Sequence, residues 1–174
     1  MTSIGGASGS GGSDVSLLGI YLNDHLAGAT AGVELFRRAA RAHATSPNGV
    51  ELQQLMAEVV ADRAALLDMM ACLGVPVRRY KLVAAWAAEK AARLKLNGHV
   101  LSRSPLSSLI ELEALRLGVE GKAAGWRTLR EVAETDARLD DGRLEELQER
   151  AGRQAARLEA LRVAAAAGVF QGRA

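Results

Sequence analysis

The 174-residue sequence predicts an all-α protein, a four-helix bundle with a long connection between its second and third long helices. Apolar residues make up 49% of the chain but aromatics only 3%, and alanine is abundant, which suits closely packed helices better than a β-sandwich or a large aromatic pocket. Four long stretches repeat their apolar residues at helical spacing. The prolines, Pro47, Pro76 and Pro105, fall where that spacing is interrupted, as loop markers do. The length fits a single domain: residues 14–167 form the bundle, between a flexible Gly/Ser-rich tail over 1–13 and a short C-terminal tail over 168–174.

The first helix is predicted from Asp14, as a cap, to about His43, with Leu17, Leu18, Tyr21, Leu22, Ala29, Leu35 and Phe36 on its apolar face. His25, Gly28 and Gly32 lie near the centre of that face, and the two glycines are expected to admit another backbone closely. The second helix begins near Ser46, Pro47 or Asn48 and stops at Gly74. A shorter helix over Val77–Leu96 is expected in the crossover. The third long helix, from Pro105 to about Thr135, carries apolar residues on more than one side. One face holds Leu112, Leu115, Val119, Trp126 and Leu129, another Leu106, Ile110, Leu117 and Ala124, and a third the small residues Ala114, Gly118, Gly121 and Gly125. Between the first two faces runs a charged strip of Glu113, Arg116, Glu120, Arg127 and Glu134. The last helix runs from about Asp141 to Ala167 on a seam of Leu144, Leu147, Ala151, Gln154, Leu158, Leu161 and Ala165, with Gln154 its one polar member.

One charge interrupts the second helix's heptad of Leu52, Met56, Val59, Arg63, Leu66, Met70 and Leu73. A guanidinium in a core position needs acceptors from neighbouring helices. The expected polar core cluster is therefore Arg63 with Asp24, His25, Asp62, Glu113, Glu120 and Gln154, with Glu113 and Glu120 its closest partners. On this reading Arg63→Met costs about 3–5 kcal/mol.

The stretches YLNDHLAG, EVVADRAALL and LIELEALRLGVEGKAAGW, within about residues 17–167, resemble small uncharacterised actinobacterial ferritin-like proteins. The resemblance implies the ferritin-like four-helix bundle, and implies a fold far more than a function. Ferritin-like di-metal centres take a Glu from each of two helices and a Glu-x-x-His pair from each of the other two. The sequence has no Glu-x-x-His: Glu58 is followed three residues on by Ala61, and Glu146 by Glu149. Asp24 would lie at the edge of the first helix's face, and Glu113 or Glu120 would stand for the third-helix ligand. A guanidinium among these carboxylates would repel a cation and compete for its ligands. No metal and no cofactor is therefore expected.

Other chemistries find little support. Cys72 has no histidine near it in sequence, is flanked by Met69, Met70 and Leu73 as a packing residue would be, and excludes an internal disulfide. No phosphate loop or Gly-flanked serine elbow occurs. His43 and His99 fall at a helix end and in a loop. The net charge is +2, but residues 76–105 hold seven basic and one acidic side chain. Arg78, Arg79, Lys81, Lys90, Arg93 and Lys95 form a basic surface on which an anionic membrane could dock. Nucleic acid is disfavoured for want of stacking aromatics. The tail lacks the basic and apolar runs of a signal peptide, and no uncharged stretch reaches membrane-spanning length, so a cytoplasmic protein is expected. The expected function is a non-enzymatic bundle in a structural or interaction role, with a homodimer possible through the Ala- and Gly-rich faces. The alternatives are an iron- or manganese-dependent oxidase or iron-handling protein with an atypical ligand set of Asp24, His25, Asp62, Glu113 and Glu120, and a binding module using the basic crossover helix for an anionic membrane or nucleic acid.

Overall fold

The computed structural model describes residues 16–78 and 105–171. These form four helices and no strand: α1 (Leu17–Ala42), α2 (Gly49–Cys72), α3 (Pro105–Ala133) and α4 (Asp141–Phe170). The caps follow from the sequence. Ser16, rather than Asp14, starts α1, its Oγ accepting from the Gly19 N–H at 3.0 Å. Asp140 caps α4 by accepting from the Arg143 N–H at 3.1 Å. Pro105 opens α3 at a position that needs no N–H. Gly74, at φ 68°, closes α2, with the Val75 N–H bonded to the Met70 carbonyl at 2.8 Å and the Gly74 N–H to that of Ala71 at 3.0 Å. Residues 75–78 are irregular, so no helix starts at Val77, and the rest of the expected crossover helix lies outside the described residues.

α1 pairs with α2 and α3 with α4 as antiparallel hairpins, and α1 also packs on α3. Arg138, in the α3–α4 turn, donates to the Leu73 carbonyl at 3.1 Å, so α2 and α3 finish at the same end of the bundle. His43, just past α1, lies 3.7 Å from Glu111 near the start of α3 at the other end. α2 and α3 are thus parallel across a diagonal, and the two hairpins are joined by a crossover rather than a tight turn. The chain leaving α2 is fastened to α1 by the buried Asn23, whose Nδ2 donates to the Pro76 carbonyl at 3.2 Å and whose Oδ1 accepts from the Arg78 N–H at 2.8 Å.

Leu22, Leu26, Val33 and Phe36 of α1 meet Leu52, Leu55, Val59, Leu66 and Met70 of α2 in one core with Leu112, Leu115, Val119, Trp126 and Leu129 of α3 and Leu144, Leu147, Ala151 and Leu158 of α4. The α2 seam differs from the heptad read in sequence. Leu55, Asp62 and Met69 take the slots assigned to Met56, Arg63 and Met70, although Met70 is buried as well. Cys72 is exposed rather than packed. Among the described residues no helix is long and apolar enough to cross a membrane.

Candidate functional site

Three helices each place one polar residue in an otherwise apolar seam: Asp62 of α2, Lys122 of α3 and Gln154 of α4. Asp62 is 1% exposed and Gln154 fully buried. The Lys122 ammonium donates to Asp62 Oδ2 and to Gln154 Oε1. Gln154 Nε2 donates to Glu58 Oε2 at 2.9 Å and to Asp62 Oδ2 at 3.2 Å. Arg150, one turn away on α4, donates through Nε to Asp62 Oδ1 at 2.8 Å. The network continues outward through Arg157, whose Nη1 meets Glu58 Oε1 at 2.6 Å and whose Nε meets Glu51. Three carboxylates, of Asp62, Glu58 and Glu51, thus face three cations, Lys122, Arg150 and Arg157.

The electrostatics follow from burial and pairing. Lys122 is only 14% exposed, and desolvation pushes its ammonium below the ordinary lysine range, opposed by the charge and hydrogen bond of Asp62. For Glu58, burial pushes the carboxyl up, but hydrogen bonds from Arg157 and Gln154 outweigh it and hold it below the usual range. The Glu51 hydrogen bond raises Arg157 further. Both oxygens of Asp62 are engaged, so a second cation could approach only by displacing Lys122 or Arg150.

The cation at the centre is thus Lys122, and Arg63 stands outside the layer. Arg63 is half-buried on the α1 side, its Nε donating to Thr30 Oγ1 at 3.0 Å beside a shallow groove of about 240 Å³ lined by Thr30, Val33, Glu34, Arg37, Val60 and Arg63. The one-residue difference in register turns Asp62 inward and Arg63 sideways. Of the other expected members, Gln154 meets Asp62 directly. Asp24 is exposed. Glu113 and Glu120 are exposed too, with Glu113 3.7 Å from Arg162 and Glu120 3.6 Å from Arg116, so neither joins the central layer. His25 is half-buried on the α1–α3 seam, its ring centroid 4.3 Å from that of Tyr21. Burial lowers its pKa, opposed by Asp24. Of the basic surface, Arg78 is described, its backbone bound to Asn23, whereas Arg79, Lys81, Lys90, Arg93 and Lys95 lie outside the described residues.

Among the described residues no three of His, Cys, Asp and Glu converge closely enough to hold a metal ion. Comparison with protein-family models, with curated proteins and with solved structures finds no match for this chain.

Proposed function

We propose that this chain is a non-catalytic bundle of ferritin-like topology in which an internal ion network occupies the layer that related enzymes devote to metal, and that it serves a structural or interaction role. The observation that carries this reading is the Lys122 ammonium held between Asp62 and Gln154, a fixed positive charge satisfied by side chains of two other helices. Two antiparallel hairpins joined by a single crossover are the connectivity of ferritin-like bundles, which supports the topological half of the proposal. Its chemical half is supported by the scatter of the atypical ligand set: Asp24, Glu113 and Glu120 are exposed while Asp62 is buried against Lys122.

The test is metal analysis of protein purified without chelators, together with its rate of Fe(II) oxidation in air. The expected result is far less than one equivalent of iron or manganese and oxidation no faster than in buffer. One or two equivalents retained through desalting, or catalysed oxidation abolished by Asp62→Asn, would overturn it.

A further inference from the structure

We propose that the groove between α1 and α2 binds a small monocarboxylate with a short branched aliphatic body, held by the Arg63 guanidinium. Helical spacing assembles the site. Thr30, Val33, Glu34 and Arg37 fall on one face of α1, and Val60 and Arg63 stand one turn apart on α2, so that six side chains line a recess of about 240 Å³. That volume is below the roughly 300–1,000 Å³ of pockets for drug-sized ligands, which restricts the occupant to a few carbon atoms.

Arg63 stands apart from the arginines of comparable burial. Among the described residues Arg37, Arg116, Arg130, Arg150, Arg157 and Arg162 are also half-buried, and each meets a carboxylate. Arg63 meets none there, and bonds only to the Thr30 hydroxyl, through Nε. A guanidinium has five N–H donors, and the fork of Nη1 and Nη2, the edge that takes a carboxylate bidentately, is not used by the described helices. The fork is also oriented. Thr30 donates its own proton to the Leu26 carbonyl at 2.8 Å, which turns an oxygen lone pair toward Arg63 Nε at 3.0 Å and fixes the guanidinium before a ligand arrives.

Charge and surface choose the anion. The guanidinia of Arg37 and Arg63 and the carboxylate of Glu34 leave the groove at +1, with Glu34 already taken by Arg37, so one negative charge balances the recess and two exceed it. Buried Val33 and exposed Val60 give it an apolar wall that a bare inorganic ion leaves uncovered. A carboxylate on Arg63 with branched carbons against the valines satisfies both. The site shares no residue with the Asp62–Lys122 layer, so it stands or falls independently of the role proposed for that layer.

Amide NMR titration of the full chain with sodium isovalerate tests this, against isovaleramide and against sodium chloride at equal ionic strength. The expected result is saturable shifts centred on residues 30–37 and 60–63, absent with the amide and with chloride, at a Kd of about 1–10 mM. Arg63→Gln should weaken binding at least about tenfold, as loss of a bidentate charge-assisted pair does. Arg63→Lys should weaken it too, since an ammonium keeps the charge without the fork. Glu34→Gln should tighten it about twofold to fivefold by removing a competing exposed charge. Shifts that do not saturate by about ten times that Kd, that isovaleramide reproduces, or that survive Arg63→Gln would overturn the proposal, as would phosphate binding more tightly than isovalerate.

Discussion

Replacing Lys122 by Met is the most direct challenge to the ion layer. Two losses contribute. The Gln154 Oε1 acceptor, fully buried, is left without its donor, which costs about 1–3 kcal/mol. Asp62, 1% exposed, loses one of its two cations, and breaking a buried pair costs about 3–5 kcal/mol when no partner remains. Arg150 and Gln154 Nε2 still reach Asp62, so the combined loss sits at the low end of that range, about 3 kcal/mol. In a chain of this size that lowers Tm by about 6–12 °C. Urea unfolding followed by far-UV circular dichroism measures it. Adding Asp62→Leu to Lys122→Met removes the stranded charge and should recover about 2 kcal/mol, since an apolar substitute for a buried ion pair is often neutral. Arg63→Met, by contrast, removes a half-buried side chain with one hydrogen bond, to Thr30, and should cost about 0.5–1 kcal/mol instead of the 3–5 expected from a core position. A larger loss at Arg63 than at Lys122, or no recovery in the double variant, would refute the assignment of the central cation.

Three further outcomes are expected. Stability should fall in acid: Glu58, Asp136, Asp141 and Glu159 all titrate below their ordinary values in the folded chain, Asp136 at about 2, so the unfolded chain takes up protons first. Their contribution is present above the unfolded values of 3.8–4.5 and is lost as pH falls toward about 2, which a series of melts between pH 6 and pH 2 measures; Glu58→Gln and Asp136→Asn together should flatten that slope. Gly49→Ala should destabilise by about 1–3 kcal/mol in chemical unfolding, because its Cβ would lie 2.5 Å from the His43 carbonyl oxygen and 2.9 Å from that of Ala44, backbone atoms that cannot swing aside. Gly152→Ala, with open space at its Cβ on α4, should stabilise by up to about 1 kcal/mol in the same assay.

The four described helices were legible because apolar spacing and prolines agree on them, although the first is capped by Ser16 rather than Asp14. The centre of the polar layer was not, and its loss can be traced to α2. Slots three and four residues apart are both compatible with a helical seam, and at two of the three ambiguous positions, Leu55–Met56 and Met69–Met70, both choices are apolar. Only Asp62–Arg63 offers a choice between charges of opposite sign, and periodicity cannot rank them. Packing can: the shorter carboxylate fits inside while the guanidinium reaches around to α1. Lys122 left a signal that sequence reading could have used. The apolar face of α3 runs Leu115, Val119, Trp126, Leu129 with a gap at the helical position between Val119 and Trp126, and Lys122 fills it. Arg150 and Arg157 had no such mark, since both approach the layer from the flank of α4, where an arginine reads as solvated. The paired glycines of α1 were expected to bring a backbone close; the tight approach lies instead at Gly125, against a histidine ring.

Every ionic contact of the central layer joins one hairpin to the other, and the signs are sorted. α2 supplies Glu51, Glu58, Asp62 and Asp68, whereas α3 and α4 answer with Lys122, Arg143, Arg150 and Arg157. Each half of the molecule by itself would hold its ions without counterions, and two like halves meeting through these faces would set acid on acid or base on base. The sorted signs therefore favour the pairing of the first hairpin with the second over the pairing of either hairpin with its own kind.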